Sequence, residues 1–383
     1  MPTYVLRRLI VGLIQVVVII VVTFVVLRLL PENPASVFAG GVANGASRAA
    51  VAHQLGLDKP IVEQLGTFLS TLVFHGSLGN SWISQTSVFG QIGSHITVTL
   101  ELVLSALLIA VVLGTALGYW LAAADSAGQR RRRRPLVALG KGFILTSGSQ
   151  PEFWWGLVFI EVFFVVLRWF PVPIGILGAN LSPPRTITGF LWFDALVQGQ
   201  WAVLGSFIAH MVLPVATISL VLTGPIAKVA RESMLPVMAS PYYTNLRVQG
   251  AGRWRMFRCV VRNGGAPVVM LLGVLFGAVL GAAALVETVF SINGLSHLTV
   301  QSILGADYPM VEGCVATLGA LCIAGYLLAD LVAVWLNPSL RQGTRGRSLR
   351  ARTRPGPLTV DVFGDLTTPA TAAAAGEPTT GPP

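Results

Sequence analysis

Charge is in short supply in this chain. Only 11% of its 383 residues are Asp, Glu, Lys or Arg, against roughly 25% in soluble domains. That shortage excludes an ordinary water-soluble globule and makes the bilayer the expected solvent. Cysteine is scarce as well. Cys259, Cys314 and Cys322 are spaced for neither a metal site nor a disulfide framework. The five histidines, His53, His75, His95, His210 and His297, form no ligand motif, so no metal is expected. There is no G-x-x-x-x-G-K-[ST] phosphate loop, so this chain is not expected to hydrolyse ATP by that route. No nucleophile–base set stands out, and no catalytic residue is assigned. A removable leader is not expected, because the apolar run behind Arg7 and Arg8 is too long and lacks a clear cleavage site.

Hydrocarbon is what the chain has in quantity: 54% of it is hydrophobic, with a mean hydropathy of +0.72. Apolar runs of about 20 residues read as membrane spans. Leu9 to Leu30 is the first and Val98 to Ala123 the second. Leu136 to Phe170 is a long third, interrupted at Ser147 to Pro151. Pro151 can kink a helix or open one. Leu204 to Ala230 is the fourth, with bends expected at Pro214 and Gly224-Pro225. Ala266 to Val286 and Pro309 to Trp335 are the fifth and sixth.

The net charge of +10 could suggest nucleic acid. The positive-inside rule accounts for it more simply. Six spans with both termini in the cytoplasm place all but five of the 26 Lys and Arg inside, the exceptions being Arg28, Arg48, Lys59, Arg168 and Arg185. Arg130 to Arg134 reads as a topology anchor, and no nucleic-acid partner is expected. Outside, Pro31 to Thr97 carries Ile61, Leu65, Phe68, Leu69, Leu72 and Val73 at helical spacing, the pattern of an amphipathic surface helix. Pro171 to Trp201 and Ser291 to Asp307 form the other outer segments. The chain therefore divides into residues 1–97 (first span and outer loop), 98–340 (a transmembrane core) and 341–383. The last part lacks apolar residues for a core and is expected to be disordered.

One stretch departs from all this. Ser240 to Pro267 is a polar island holding Arg247, Arg253, Arg255, Arg258 and Arg262, with Gly250 and Gly252 breaking its middle. A membrane anchor needs only basic residues near the headgroups. This loop is longer, and its glycine break between potential short helices suits a protruding helix–turn–helix that docks on a partner.

The island resembles the coupling loop of ABC-importer permeases of the dipeptide/oligopeptide family, first-permease type. Tyr242, Arg247 and Gly250 match the family's Tyr-x-x-Thr-Ala-Arg-Ala-Lys-Gly, and Arg262, Asn263 and Pro267 match its later part. Asn245, Leu246, Val248 and Gln249 depart from it. The resemblance continues through Tyr4-x-x-Arg7-Arg8, Leu27-Arg28-Leu29-Leu30-Pro31, Leu55-Gly56-Leu57-Asp58-Lys59-Pro60 and Gly76-Ser77-Leu78-Gly79-Asn80-Ser81. Thr99-Leu100-Glu101-Leu102, Val286-Glu287-Thr288-Val289-Phe290, Gly294-Leu295 and Asp307-Tyr308-Pro309 follow in the family's order.

The resemblance implies an all-α integral membrane protein with the type I importer permease fold, in the plasma membrane of a bacterium. It implies a second homologous permease, one or two cytoplasmic ATP-binding subunits that hold ATP and Mg²⁺, and an extracytoplasmic substrate-binding protein. No cofactor is implied in this chain. Tyr242, Arg247, Gly250, Arg253, Arg262, Asn263 and Pro267 would meet the ATPase. The implied cargo is a dipeptide or short oligopeptide. Nickel, glutathione or a similar solute is the alternative, and an ion-coupled secondary transporter is a further one, though the inverted repeats of that class are not visible.

Three acids lie in or beside apolar sequence, where carboxylates usually face a protein interior or a watery cavity. Glu161 reads as a buried acid in mid-span, structural or pathway-lining. Glu287 reads as a helix-end or pathway-lining residue, and Asp330, near the inner end of the sixth span, as structural in preference to pathway-lining. Gly273, Gly277 and Gly281, like Gly114 and Gly118, make small-residue faces on which helices can pack closely.

Overall fold

A computed structural model describes residues 2–29, 50, 52–126 and 134–336 of the chain. The basic run at 130–133 and the tail at 341–383 lie outside these, as does much of the first outer loop. Among the described residues every regular element is helical, and one isolated bridge joins Asn80 and Ser87. The helices are α1 (Pro2–Leu29), α2 (Ile61–His75), α3 (Val88–Ser126), α4 (Arg134–Thr146), α5 (Glu152–Phe159), α6 (Leu191–Val197) and α7 (Trp201–Met238). After them come α8 (Pro241–Val248), α9 (Arg253–Gly264), α10 (Ala266–Val289), α11 (Leu295–Leu304) and α12 (Tyr308–Leu336).

Five of these, α1, α3, α7, α10 and α12, are long and apolar enough to cross a membrane. The third crossing expected from sequence is not a single helix. It is α4, a 3₁₀ turn at Ser147–Ser149, α5 and a π-helical turn at Ile160–Val166. The cause is local: Pro151 offers no N–H to a helix ladder. The break packs where it does because Gly148 faces the Pro225 ring and Gly224 lies against the Ser147 side chain. Proline does not end α7, which runs unbroken through Pro214, Pro225 and Pro236.

The core is the pair α3 and α7. A Cβ on Gly118 would lie 2.6 Å from both the Ala227 carbonyl and the Ala230 methyl, and one on Gly114 would lie 2.7 Å from Ile226. Those two glycines let the backbones approach as they do. Leu102, Ala106, Ala110, Ile218 and Met234 are fully buried along this seam. The glycine face of α10 behaves differently along its length. Gly273 meets Ala329 and Tyr326, and Gly277 meets Cys322, all on α12, whereas Gly281 has nothing within 4 Å.

Polar staples fasten this apolar bundle. Arg28 pairs with Glu312 of α12, donates to Gln64 of α2 at 2.8 Å, and lies 3.2 Å over the Phe24 ring. The surface helix predicted between the first two spans is α2. It rests on α1 through Phe68 and Phe24, whose ring centroids are 5.5 Å apart. Asp307 accepts from the Ser81 hydroxyl and, at 3.0 Å, from the Trp82 amide, tying the outer loop to the start of α12. At the opposite end Asp125 takes Lys141 at 2.8 Å and Arg231 at 2.8 Å, joining α3, α4 and α7.

Candidate functional site

The polar island folds into α8, a turn, and α9. Ser240 caps α8 by accepting from the Tyr243 amide at 3.3 Å, and Pro241 occupies the first turn, where a missing N–H is harmless. The turn needs Gly250, which sits at φ +73° in the left-handed region that other residues enter at a cost. α9 is amphipathic. Val260 is fully buried, and Phe257 meets Tyr119 of α3 edge-on with ring centroids 5.0 Å apart. Gly264 closes on the Ser233 carbonyl and Met234 of α7. Leu246 anchors α8.

With those residues inward, the others face out. Tyr242, Arg247, Gly250, Arg253, Arg262, Asn263 and Pro267 are all exposed. Asn263 turns back on its own helix, its amide donating to the Cys259 carbonyl at 2.8 Å. Trp254 is 73% exposed, stacked on Phe257. The result is a two-helix knob, basic on its outer face, held to α3 and α7 by apolar contacts.

The three sequence-flagged acids are distributed over different elements. Glu287, at the end of α10, is fully buried. Its carboxylate accepts from the Thr99 hydroxyl at 2.6 Å and the His297 amide at 2.7 Å, while Thr99 accepts from the Leu295 amide at 2.7 Å. Glu287 and Thr99 thus satisfy amides that α11 leaves open at its start. Asp330 pairs with Arg8 of α1 at 3.2 Å. Glu161, expected to be buried, lies on an exposed face of the π-helical turn. The π-turn changes the phase of the helix, which an apolar window cannot register.

Sequence reading missed the outer end of α3. Glu101 is 2% exposed. One carboxylate oxygen accepts from the Trp192 amide at 3.2 Å, and the other has no partner among the described residues. It borders a cavity of about 630 Å³ between α3, α6 and α7. Nearby, Asp194 closes its own loop, accepting from the Ile187, Thr188 and Gly189 amides and the Thr188 hydroxyl at 2.8–3.1 Å. Burial pushes the Asp194 carboxyl up, but those four hydrogen bonds outweigh it and hold it below the ordinary carboxylate range. The signal for Glu101 was an acid in apolar sequence, visible within Thr99-Leu100-Glu101-Leu102 but read there only as part of a pattern.

Residues 114–342 match the family described as Binding-protein-dependent transport system inner membrane component, and residues 1–105 match its N-terminal companion. The chain is 34% identical over 334 residues to the probable D,D-dipeptide transport system permease protein of Escherichia coli K12, covering 87% of this chain and 96% of that one. It is 31% identical over 346 residues to the dipeptide transport system permease protein of the same strain, covering 89% and 99%. It is also 31% identical over 343 residues to the glutathione transport system permease protein of Salmonella typhimurium LT2, again covering 89% and 99%.

Proposed function

The chain belongs to the family of binding-protein-dependent transport system inner membrane components, and we propose that it forms, with a second permease, the pathway by which dipeptides or short oligopeptides enter a bacterial cell. It is a transport subunit and not itself an enzyme. ATP hydrolysis belongs to separate cytoplasmic subunits, and a binding protein delivers the cargo outside. The relatives' cargoes support this reading. Two are dipeptide permeases by name, and the third carries glutathione, itself a short peptide.

The observation that carries the mechanism is the knob formed by α8 and α9. Its apolar face is committed to α3 and α7, so its exposed residues are free to seat in a groove of the ATPase. Closure of the ATPases would pull the two knobs together and reorient the long helices to which they are fixed. Exposed arginine pairs contribute only about 0–1 kcal/mol each, so Arg247, Arg253 and Arg262 would set orientation more than affinity.

Purification in mild detergent tests the reading: an ATPase and a second permease should accompany the chain. A chain that purifies alone and transports unaided would overturn it. Uptake of labelled L,L-dipeptides, D,D-dipeptides and glutathione by cells lacking the chain, with and without its restoration, identifies the cargo.

A further inference from the structure

Among the described residues that line the cavity at the outer end of α3, Glu101 alone is charged, and the remaining wall is largely apolar. Leu104 and Leu108 come from α3, Phe190, Trp192 and Phe193 from the segment at α6, and Phe207 from α7. Among the described residues that line it, none is basic. A carboxylate 2% exposed with one oxygen unpartnered is a costly arrangement. The Trp192 amide satisfies the first oxygen only. What the second lacks is a donor, and a cationic donor would suit it best. Aromatic rings around a cation add attraction from their faces. The cavity, at about 630 Å³, is ample for a small ligand. It also lies beside the outer segment, on the side from which a binding protein would deliver cargo.

We infer that Glu101 receives the cationic amino terminus of the transported peptide, while the aromatic walls hold its first side chains. This rests on the peptide-importer reading and specifies its chemistry: the cargo carries a free ammonium group, and the permease itself reads it. Ser105, one helical turn from Glu101 and also on the cavity wall, adds a hydroxyl within the same face. Each peptide would lose this contact as the outer end rearranges, which releases it inward.

The experiment uses phenethylammonium, which combines the cation with an aromatic ring, titrated calorimetrically into the assembled, solubilised transporter. Saturable binding is expected, weakened at least tenfold in E101Q. Glutamine keeps the side-chain shape and an acceptor for the Trp192 amide, so a merely structural role would leave binding unchanged. Phenethyl alcohol, neutral and of similar size, should bind the unmodified transporter at least tenfold more weakly than phenethylammonium, a comparison that needs no variant. Equal binding of the two compounds, equal binding to E101Q, or no binding of phenethylammonium at all overturns the inference. A parallel uptake assay with labelled Ala-Phe judges the other reading separately. No uptake alongside intact ammonium binding would sink the peptide cargo and leave the Glu101 site standing.

Discussion

Gly294 lies directly against the carboxylate of Glu287, so closely that a Cβ there would overlap it. The glycine leaves room for an acid from the end of α10 to cap the start of α11, with Thr99 of α3 completing the network. Three helices meet at one buried carboxylate.

G294A is therefore expected to destabilise the outer end of the bundle, and E287A to leave the Thr99 hydroxyl and the His297 amide unpaired. An unsatisfied buried group costs roughly 1–3 kcal/mol. Thermal unfolding in detergent should show both variants melting below the parent, while a substitution at Gly281, which has open space around it, should not.

Gly250 offers a test of the proposed docking that leaves the membrane helices untouched. Its φ of +73° makes Gly250→Val strained by roughly 1–2 kcal/mol, and the damage falls on the turn between α8 and α9. Membrane insertion should survive, while substrate-stimulated ATPase activity falls. Full stimulation in Gly250→Val would count against the knob as the docking element.

Arg28, half-buried, and Glu312, buried, form an ion pair between residues far apart in sequence. Removing Arg28 strands the buried Glu312 carboxylate, at up to about 3–5 kcal/mol. Removing Glu312 costs less, because Arg28 keeps Gln64, the Phe24 carbonyl and the Phe24 ring. Replacing both partners of a buried pair with apolar residues is often neutral or better. R28L and E312L should each yield less folded protein than the parent, and the double variant should recover most of the loss. Equal yields from all three would show that the pair carries no such energy.

Asp194 supplies a pH dependence. Its carboxyl is held below the ordinary range when folded, so its contribution is complete above the unfolded value of about 3.9. That contribution is lost as pH falls through the lower folded value. Protection from hydrogen exchange in residues 187–198, taken relative to the intrinsic rate at each pH, should stay high at neutral pH and fall on strong acidification. D194N should give faster exchange already at neutral pH.

The sequence made the long helices legible because apolar length alone marks a membrane crossing. It also marked the helix–turn–helix through Gly250, and through Gly114 and Gly118 a face for close helix packing, though not that α7 is what packs there. The phase of a helix was not legible. Glu161 sits on a π-helical turn with its side chain exposed, and no window of hydropathy reports that. Nor were partners across the fold. Nothing near Arg28 points to Glu312, and nothing near Glu101 points to Trp192, because each pairing depends on how non-adjacent helices come together. The Gly273, Gly277 and Gly281 repeat looked uniform, yet only its first two members meet α12 closely.

α7 has a last implication. It begins at Trp201, beside the aromatic wall, and ends at Met238, two residues before Ser240 opens the knob. At 1.5 Å per residue its 38 residues extend about 57 Å, nearly twice the roughly 30 Å hydrocarbon layer. It is one continuous helix, with Phe207 near one end and the α8–α9 knob at the other. Under the docking role proposed above, a movement imposed on the knob would be carried along α7 to the outer cavity, so that seating on one side of the membrane and reshaping on the other would be coupled.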